Sequence, residues 1–256
     1  EVIVIDNLHT GKLKNLEGVI EKINFYEIDI RNKNELEKIL NDVDGIFHEA
    51  ALTIVQESFT KQREYFDVNV KGTENIFEIA EKYNIKVVFA SSSSIYGDSK
   101  EIPINENSSK NPINPYGETK LQDEILAKKY SNQGVKIIGL RYFNIFGKGQ
   151  TGSYAGVITK FLKNIKLKKP LIIYGQGNQI RDFIHVKDIA EANLTIMTSN
   201  IEQGFYNIGT GKANSIKELA SIMIKISNHK EGILYLEPLK GDVKESKADT
   251  RLTMKT

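Results

Sequence analysis

The stretch Lys86-Val87-Val88-Phe89-Ala90 is followed directly by four serines, Ser91-Ser92-Ser93-Ser94. An apolar, β-branched run without polar alternation is typical of a strand buried on both faces, as in parallel sheets. Similar runs recur at residues 1–6, 24–28, 45–48 and 135–140. Amphipathic stretches with the apolar spacing of helices lie between these runs, at residues 34–41, 65–83 and 116–133. Alternation of strands and helices predicts an α/β protein with a doubly wound parallel sheet.

The pattern changes after residue 147. Shorter strands are predicted at residues 171–174, 183–185, 205–208 and 233–236. Predicted helices alternate with them at residues 157–165, 186–199 and 215–227. We therefore predict a sheet domain at residues 1–147 and a smaller α/β lobe at residues 148–256, with segments that cross back to the sheet.

Composition excludes several classes of function. The 256 residues carry 35 Lys and Arg against 33 Asp and Glu, so no excess of positive charge favours nucleic acid. Cysteine is absent, which excludes disulfide scaffolds and thiolate chemistry. No apolar run reaches the roughly 18 residues of a membrane helix, and the four histidines lack metal-ligand spacing. We expect a cytoplasmic protein with no nucleic acid, membrane or metal partner.

Asp6 and Asn7 follow the first apolar run. In a dinucleotide-binding sheet, an acidic residue at this strand end accepts hydrogen bonds from the adenosine ribose. A helix N-cap or turn aspartate is the alternative. The sequence contains no glycine-rich loop of the form Gly-x-x-Gly-x-x-Gly. We therefore expect that the sequence is truncated at its N-terminus and that the sheet lacks its first strand.

Two further groups of residues carry candidate chemistry. The serines at 91–94 follow a predicted parallel strand, where such sheets bind ligands, although a solvated serine loop is the alternative. Tyr116 and Lys120 stand four residues apart at the start of a predicted helix, so they share one face. A neighbouring cation lowers the pKa of a tyrosine below its usual value of about 10, which suits acid/base catalysis. By itself this spacing also occurs by chance.

Several further motifs occur in a fixed order along the chain. They are Asp29-Ile30, Glu49-Ala50-Ala51-Leu52, residues 69–75, Arg141-Tyr142-Phe143-Asn144, residues 181–186, residues 207–211 and Gly241-Asp242. Together with the serines and Tyr116-x-x-x-Lys120, they resemble the extended short-chain dehydrogenase/reductase family, in particular its NAD-dependent nucleotide-sugar epimerases and dehydratases. The resemblance covers nearly the whole chain. It implies a Rossmann-like NAD-binding domain, a substrate-binding lobe and a homodimer.

The resemblance implies a role for each matching residue. Ser92, Tyr116 and Lys120 would be catalytic, with Tyr116 taking the proton of the sugar C4 hydroxyl. NAD would be bound by Asp6, Asn7, Asp29, Ile30, Glu49, Ala50, Ala51, Leu52, Asn69, Ser91, Tyr116, Lys120 and Phe143. The substrate, a UDP-hexose, would be bound by Ser92, Ser93, Tyr116, Asn144, Arg181, Asp242 and Ser246. Ser246 falls where some epimerases place a bulky tyrosine beside the sugar.

Two departures from the family pattern bear on function. Leu239 stands where the family often has an arginine, so Lys240 or Arg181 alone would hold the diphosphate. Ser93 and Ser94 occupy the positions where the related dehydratases carry Asp and Glu, of which the decarboxylases keep the Glu. The resemblance therefore favours a nucleotide-sugar 4-epimerase over a dehydratase or decarboxylase. A non-catalytic nucleotide-binding protein is the other alternative, but such proteins usually lack the Tyr or the Lys.

Overall fold

The computed structural model describes residues 1–150 and 156–256, and its strands and helices alternate through most of that length. The strands are β1 (Val2–Ile5), β2 (Ile23–Tyr26), β3 (Gly45–His48), β4 (Lys86–Ser92), β5 (Ile137–Tyr142), β6 (Asn144–Phe146), β7 (Leu171–Tyr174), β8 (Ile180–His185), β9 (Gln203–Ile208), β10 (Ala213–Ser215), β11 (Ile233–Leu236) and β12 (Glu245–Ser246). The helices are α1 (Lys33–Leu40), α2 (Val55–Ser58), α3 (Gln62–Tyr65), α4 (Gly72–Tyr83), α5 (Pro115–Ser131), α6 (Val157–Lys166), α7 (Val186–Thr198) and α8 (Ile216–Ser227).

The predicted parallel sheet is present in two hydrogen-bonded parts. Strands β3, β4, β5 and β9 form a four-stranded parallel sheet in the order β3-β4-β5-β9, and β1 pairs in parallel with β2. Within the described residues, β1 bonds to β2 alone. Val2 is consequently exposed and Ile3, Val4 and Ile5 are only half-buried, whereas the sequence predicted a strand buried on both faces. The prediction of full burial holds for β5, which has a partner strand on each side.

Helices cover both faces of the four-stranded sheet. Successive residues of a strand point to opposite faces, so Val87 and Phe89 pack with α1, α4 and α5, while Val88 packs with α7. The predicted helix at 65–83 is interrupted by a π-helical segment, Phe66–Lys71, before α4 begins. Such π segments occur frequently at functional sites, and this one carries the buried Asn69.

The second half of the chain adds a lobe and also returns to the sheet. In the lobe, β8 pairs with β6, β10 and β12, and β7 pairs with β11 beneath α6 and α8. Strand β9 is the edge strand of the four-stranded sheet, and helix α7 packs on that sheet. Residues 151–155 of the predicted lobe lie outside the described residues. A cleft lies between the carboxyl ends of β4 and β5 and the lobe.

Candidate active site

The serine loop begins where β4 ends. Ser92 Oγ accepts a hydrogen bond from the Ser94 main-chain N–H at 3.1 Å, which starts a short 3₁₀ turn, Ser93–Tyr96. The neighbouring Ser91 points the other way, into the interior, where its hydroxyl donates to Glu124 Oε1 at 2.7 Å. Glu124 is in turn held by the buried Arg141. The hydroxyl of Ser91, a predicted cofactor contact, is thus engaged inside the protein by Glu124.

Helix α5 places Tyr116 against this loop. Asn114 is the N-cap, since its Oδ1 accepts a hydrogen bond from the Gly117 N–H at 2.8 Å, and Pro115 stands at the first helical position. A Cβ on Gly117 would lie 2.7 Å from the Ser94 carbonyl oxygen, so only glycine permits this approach. The Tyr116 N–H donates to Ser58 Oγ of α2 at 3.2 Å. Tyr116 itself is partly exposed.

Lys120 lies one helical turn beyond Tyr116 and is buried, with 3% of its surface exposed. Its Nζ donates to Asp123 Oδ2 at 3.1 Å. Burial by itself lowers the pKa of the ammonium group, but the charges of Asp123 and Tyr116 outweigh it, so the pKa is raised. The structure therefore brings the predicted pair of Tyr116 and Lys120 to one helical face and adds Asp123, which sequence reasoning missed.

The residues predicted to hold the adenosine end meet at the carboxyl ends of β1 and β2. Asn7 Nδ2 donates to Asp29 Oδ2 at 2.9 Å, and the Asp6 carboxylate accepts the Leu8 N–H at 2.6 Å. The guanidinium of Arg31 forms two hydrogen bonds with Asp29 and holds the pKa of that carboxyl far below its usual range. Carboxylates at the ends of parallel strands, with Lys120 farther along the sheet, fit a dinucleotide lying across the strand ends.

Other predicted cofactor residues have a supporting role in this structure. Asn69 is fully buried, and its amide bonds both the N–H and the carbonyl of Leu52, at 2.8 and 3.0 Å, so it positions the segment at 49–52. Ile30, Leu52 and Phe143 are buried, and the Ile30 carbonyl and the Phe143 N–H are themselves hydrogen-bonded, to Asn75 and Ile208, so these residues support the site from within the fold. Ala50 and Ala51 lie in the more accessible part of the segment at 49–52.

The Glu49 carboxylate is hydrogen-bonded to a residue at the end of β5. Its carboxylate Oε1 accepts the Tyr142 hydroxyl at 2.9 Å, and that hydroxyl accepts Asn193 Nδ2 at 2.6 Å. Glu49 thereby ties the end of β3 to the end of β5 rather than presenting a free carboxylate.

The cleft has a volume of about 940 Å³ and contains most of the predicted substrate residues. Its lining includes Ser92, Ser93, Asn144, Arg181, Asp242 and Ser246, but not Tyr116. Arg181 Nη2 donates to Asp242 Oδ1 at 2.5 Å. Lys240 is not among the lining residues, because its Nζ lies over the Phe59 ring at 4.7 Å. This placement argues against Lys240 as the group that holds a diphosphate.

Three lysines of α6 and the following loop line the cleft instead. Lys160, Lys163 and Lys169 belong to a basic stretch that periodicity alone indicates as a solvated helix face. Two of the four histidines have structural contacts: His48 Nε2 bonds the Thr73 hydroxyl at 2.7 Å, and His185 caps α7. Across residues 1–150 and 156–256, no group of three or more acidic or histidine side chains is placed to hold a metal ion. No helix in the same residues is both long and apolar enough to cross a membrane.

Comparison with known proteins gives consistent matches. Residues 1–209 match the NAD dependent epimerase/dehydratase family. A putative UDP-glucose 4-epimerase of Methanocaldococcus jannaschii is 40% identical over 95% of this chain and 80% of its own length. A UDP-N-acetyl-alpha-D-glucosaminuronate decarboxylase of Bacillus cytotoxicus is 32% identical over 92% of this chain and 75% of its own.

A solved structure is similar over almost the whole fold. It is a UDP-N-acetylglucosamine 4-epimerase from Methanobrevibacter ruminantium in complex with UDP-N-acetylmuramic acid, with a TM-score of 0.94 and 36% identity. The match covers 99% of this chain and 83% of that one. The chain therefore belongs to the NAD dependent epimerase/dehydratase family, and NAD is its cofactor.

Proposed function

We propose that the protein is a nucleotide-sugar 4-epimerase that acts on a UDP-hexose. The observation that carries the proposal is the chemistry of the cleft wall. Ser92, Ser93 and Ser94 present hydroxyls there, and the only carboxylate among the described lining residues is Asp242, which is paired with Arg181. Eliminating water from a sugar needs an additional acid/base group beside the hydroxyl, whereas epimerisation at C4 needs one proton acceptor.

Each catalytic side chain has a defined task in this proposal. Tyr116 takes the proton of the sugar C4 hydroxyl and later returns it, while the Ser92 hydroxyl hydrogen-bonds the same oxygen and holds it in place. Lys120 stabilises the phenolate form of Tyr116 by its positive charge. NAD, when bound, accepts a hydride from C4 and gives it back. Asp6, Asn7 and Asp29 would hold its adenosine end.

The cleft also fits an anionic nucleotide sugar. Arg181 together with Lys160, Lys163 and Lys169 supplies positive charge along the lobe side of the cleft, which suits a diphosphate. Asn144 also lines the cleft, at the start of β6, which pairs with the strand that carries Arg181. The relatives named as UDP-sugar 4-epimerases support this substrate class. A homodimer and a cytoplasmic location stay predictions from the sequence.

Two alternatives have a different chemical outcome. A decarboxylase relative at 32% identity makes loss of carbon dioxide from a uronate the second candidate. A binding protein without catalysis is a third candidate, but the retained Tyr116 and Lys120 favour catalysis.

The deciding experiment uses the full-length protein with UDP-glucose in D₂O, followed by proton NMR. We expect UDP-galactose that carries no deuterium at C4, because the same hydride returns to the carbon, and no accumulation of free NADH. A 4-keto-6-deoxy product, steady release of NADH, or carbon dioxide from UDP-glucuronate without any epimerisation would overturn the proposal. Absence of turnover with any UDP-sugar, with the Tyr116→Phe variant behaving identically, would favour the binding protein.

A further inference from the structure

A buried carboxylate contacts the active-site lysine. Asp123 is 0% exposed and lies three residues beyond Lys120, so Tyr116, Lys120 and Asp123 stand on one face of α5 at positions i, i+4 and i+7. Asp123 Oδ2 accepts Lys120 Nζ at 3.1 Å, and Oδ1 has no partner at hydrogen-bond distance. A buried carboxylate with one unpaired oxygen destabilises a fold, so its presence calls for a reason.

The other titratable groups around this pair are already engaged. On α5, Glu124 is bound by Arg141 at 2.7 and 2.8 Å, and Tyr116 is half-buried outside the lining of the cleft. At the end of β3, Glu49 accepts the Tyr142 hydroxyl. His48 is held by Thr73, and burial lowers the pKa of the imidazole to about 3, so it is neutral. Among the described residues, Asp123 is thus the only carboxylate that hydrogen-bonds Lys120.

We infer that Asp123 is a positioning residue of the active site, the counter-ion that keeps Lys120 protonated and holds its ammonium group beside Tyr116. The inference rests on the proposed function, because it assigns Lys120 the task of stabilising the Tyr116 phenolate. In a site sealed from water, an ammonium group without a counter-ion loses its proton readily. A neutral Lys120 would no longer favour the phenolate, and Tyr116 would be a poorer base.

The electrostatics agree with this arrangement. Burial raises the pKa of the Asp123 carboxyl to about 7 even though the Lys120 charge opposes the shift. At Lys120 desolvation lowers the pKa of the ammonium group, but Asp123, with smaller contributions from the charges of Tyr116 and Glu49, outweighs it and raises that pKa. The Thr73 side chain also lowers the pKa of the Asp123 carboxyl, and this is the smallest of the effects on that group. The carboxylate of the pair is therefore ionised above neutral pH, where Tyr116 must act as a base.

The test is the pH profile of kcat for Asp123→Asn, which keeps the shape of the side chain and removes its charge. We expect the pH at which kcat falls on the alkaline side, the alkaline limb of the profile, to decrease by about 1 to 3 units, because Lys120 loses a neighbouring opposite charge. Activity should be depressed at pH 8 and recover at pH 6, where Lys120 is protonated again. Glu118→Gln is the matched control, since Glu118 is exposed on the same helix, and its profile should not move. An unmoved limb in Asp123→Asn, or an equal shift in Glu118→Gln, would overturn the inference.

A second measurement needs no activity and no substitution of Asp123. The Nζ resonance of Lys120 in the wild-type protein, assigned by its loss in Lys120→Arg, is followed by NMR as pH rises. We expect Lys120 to be fully protonated at pH 9.5, and deprotonation below that pH would refute the role of Asp123. This result stands even if no UDP-sugar turns over, so the failure of the proposed function and that of the inference are distinguishable.

Discussion

Gly117 lies at the point where α5 packs against the serine loop, and replacing it with alanine perturbs both the helix and the loop. The added Cβ would lie 2.7 Å from the Ser94 carbonyl oxygen and 3.1 Å from Pro112 Cβ, where ordinary contact begins at 3.4 Å. Because Ser94 contributes a main-chain atom, the strain is relieved only if α5 and the loop separate by about 0.7 Å. Such a shift separates Tyr116 from Ser92. A misplacement near 1 Å costs about 100-fold in rate, so we expect kcat to fall about 10- to 100-fold.

The fold should survive this change, because overpacking costs about 1–3 kcal/mol. The assay compares kcat for UDP-glucose with the free energy of unfolding from urea denaturation. Gly18→Ala is the matched control, since its Cβ has no atom within 4 Å and it should leave both quantities unchanged. A Gly117→Ala enzyme with the parent's kcat and stability would refute the packing argument.

Tyr116→Phe should leave the free energy of unfolding nearly unchanged and reduce kcat about 10²- to 10⁴-fold, because a positioned acid/base is lost; retention of half the parental kcat would contradict the assignment. His48 should destabilise the protein in acid: burial lowers the pKa of its imidazole to about 3, so the unfolded state binds a proton first as pH falls below about 6.5. Urea unfolding should show that the wild type loses about 2 kcal/mol more than His48→Gln between pH 7 and pH 5, and equal losses would exclude His48 as the cause. Ser246 is buried and lines the cleft, so Ser246→Tyr should remove activity on UDP-N-acetylglucosamine selectively. Equal loss on both sugars, or no such activity in the parent, would count against that pocket.

Much of the architecture follows from local sequence pattern. The apolar run at residues 86–90 predicts β4, and hydrophobic periodicity predicts α7, with ends that differ by a few residues. Helix α5 also forms where a helix was predicted, but its buried face carries the polar Lys120, Asp123 and Glu124 rather than an apolar stripe. These predictions succeed because strand and helix patterning is local. The same holds for Tyr116 and Lys120, whose shared face follows from helix geometry alone. The family resemblance and the NAD cofactor, both carried by spaced motifs, are confirmed by the family match.

Tertiary contacts decided the rest. Whether a serine hydroxyl faces the cleft or the core depends on what packs beneath it, and Glu124 directs Ser91 inward. Lys240 turns to Phe59, while the lysines of α6 reach the cleft, because the lobe folds over the strand ends. In the sequence, nothing distinguishes Asp123 from the other polar residues of the predicted amphipathic helix. Only the packing of α5 against α4, β4 and β5 removes water and makes its charge available to Lys120, since the strength of a charge pair depends on the solvent that the whole fold excludes.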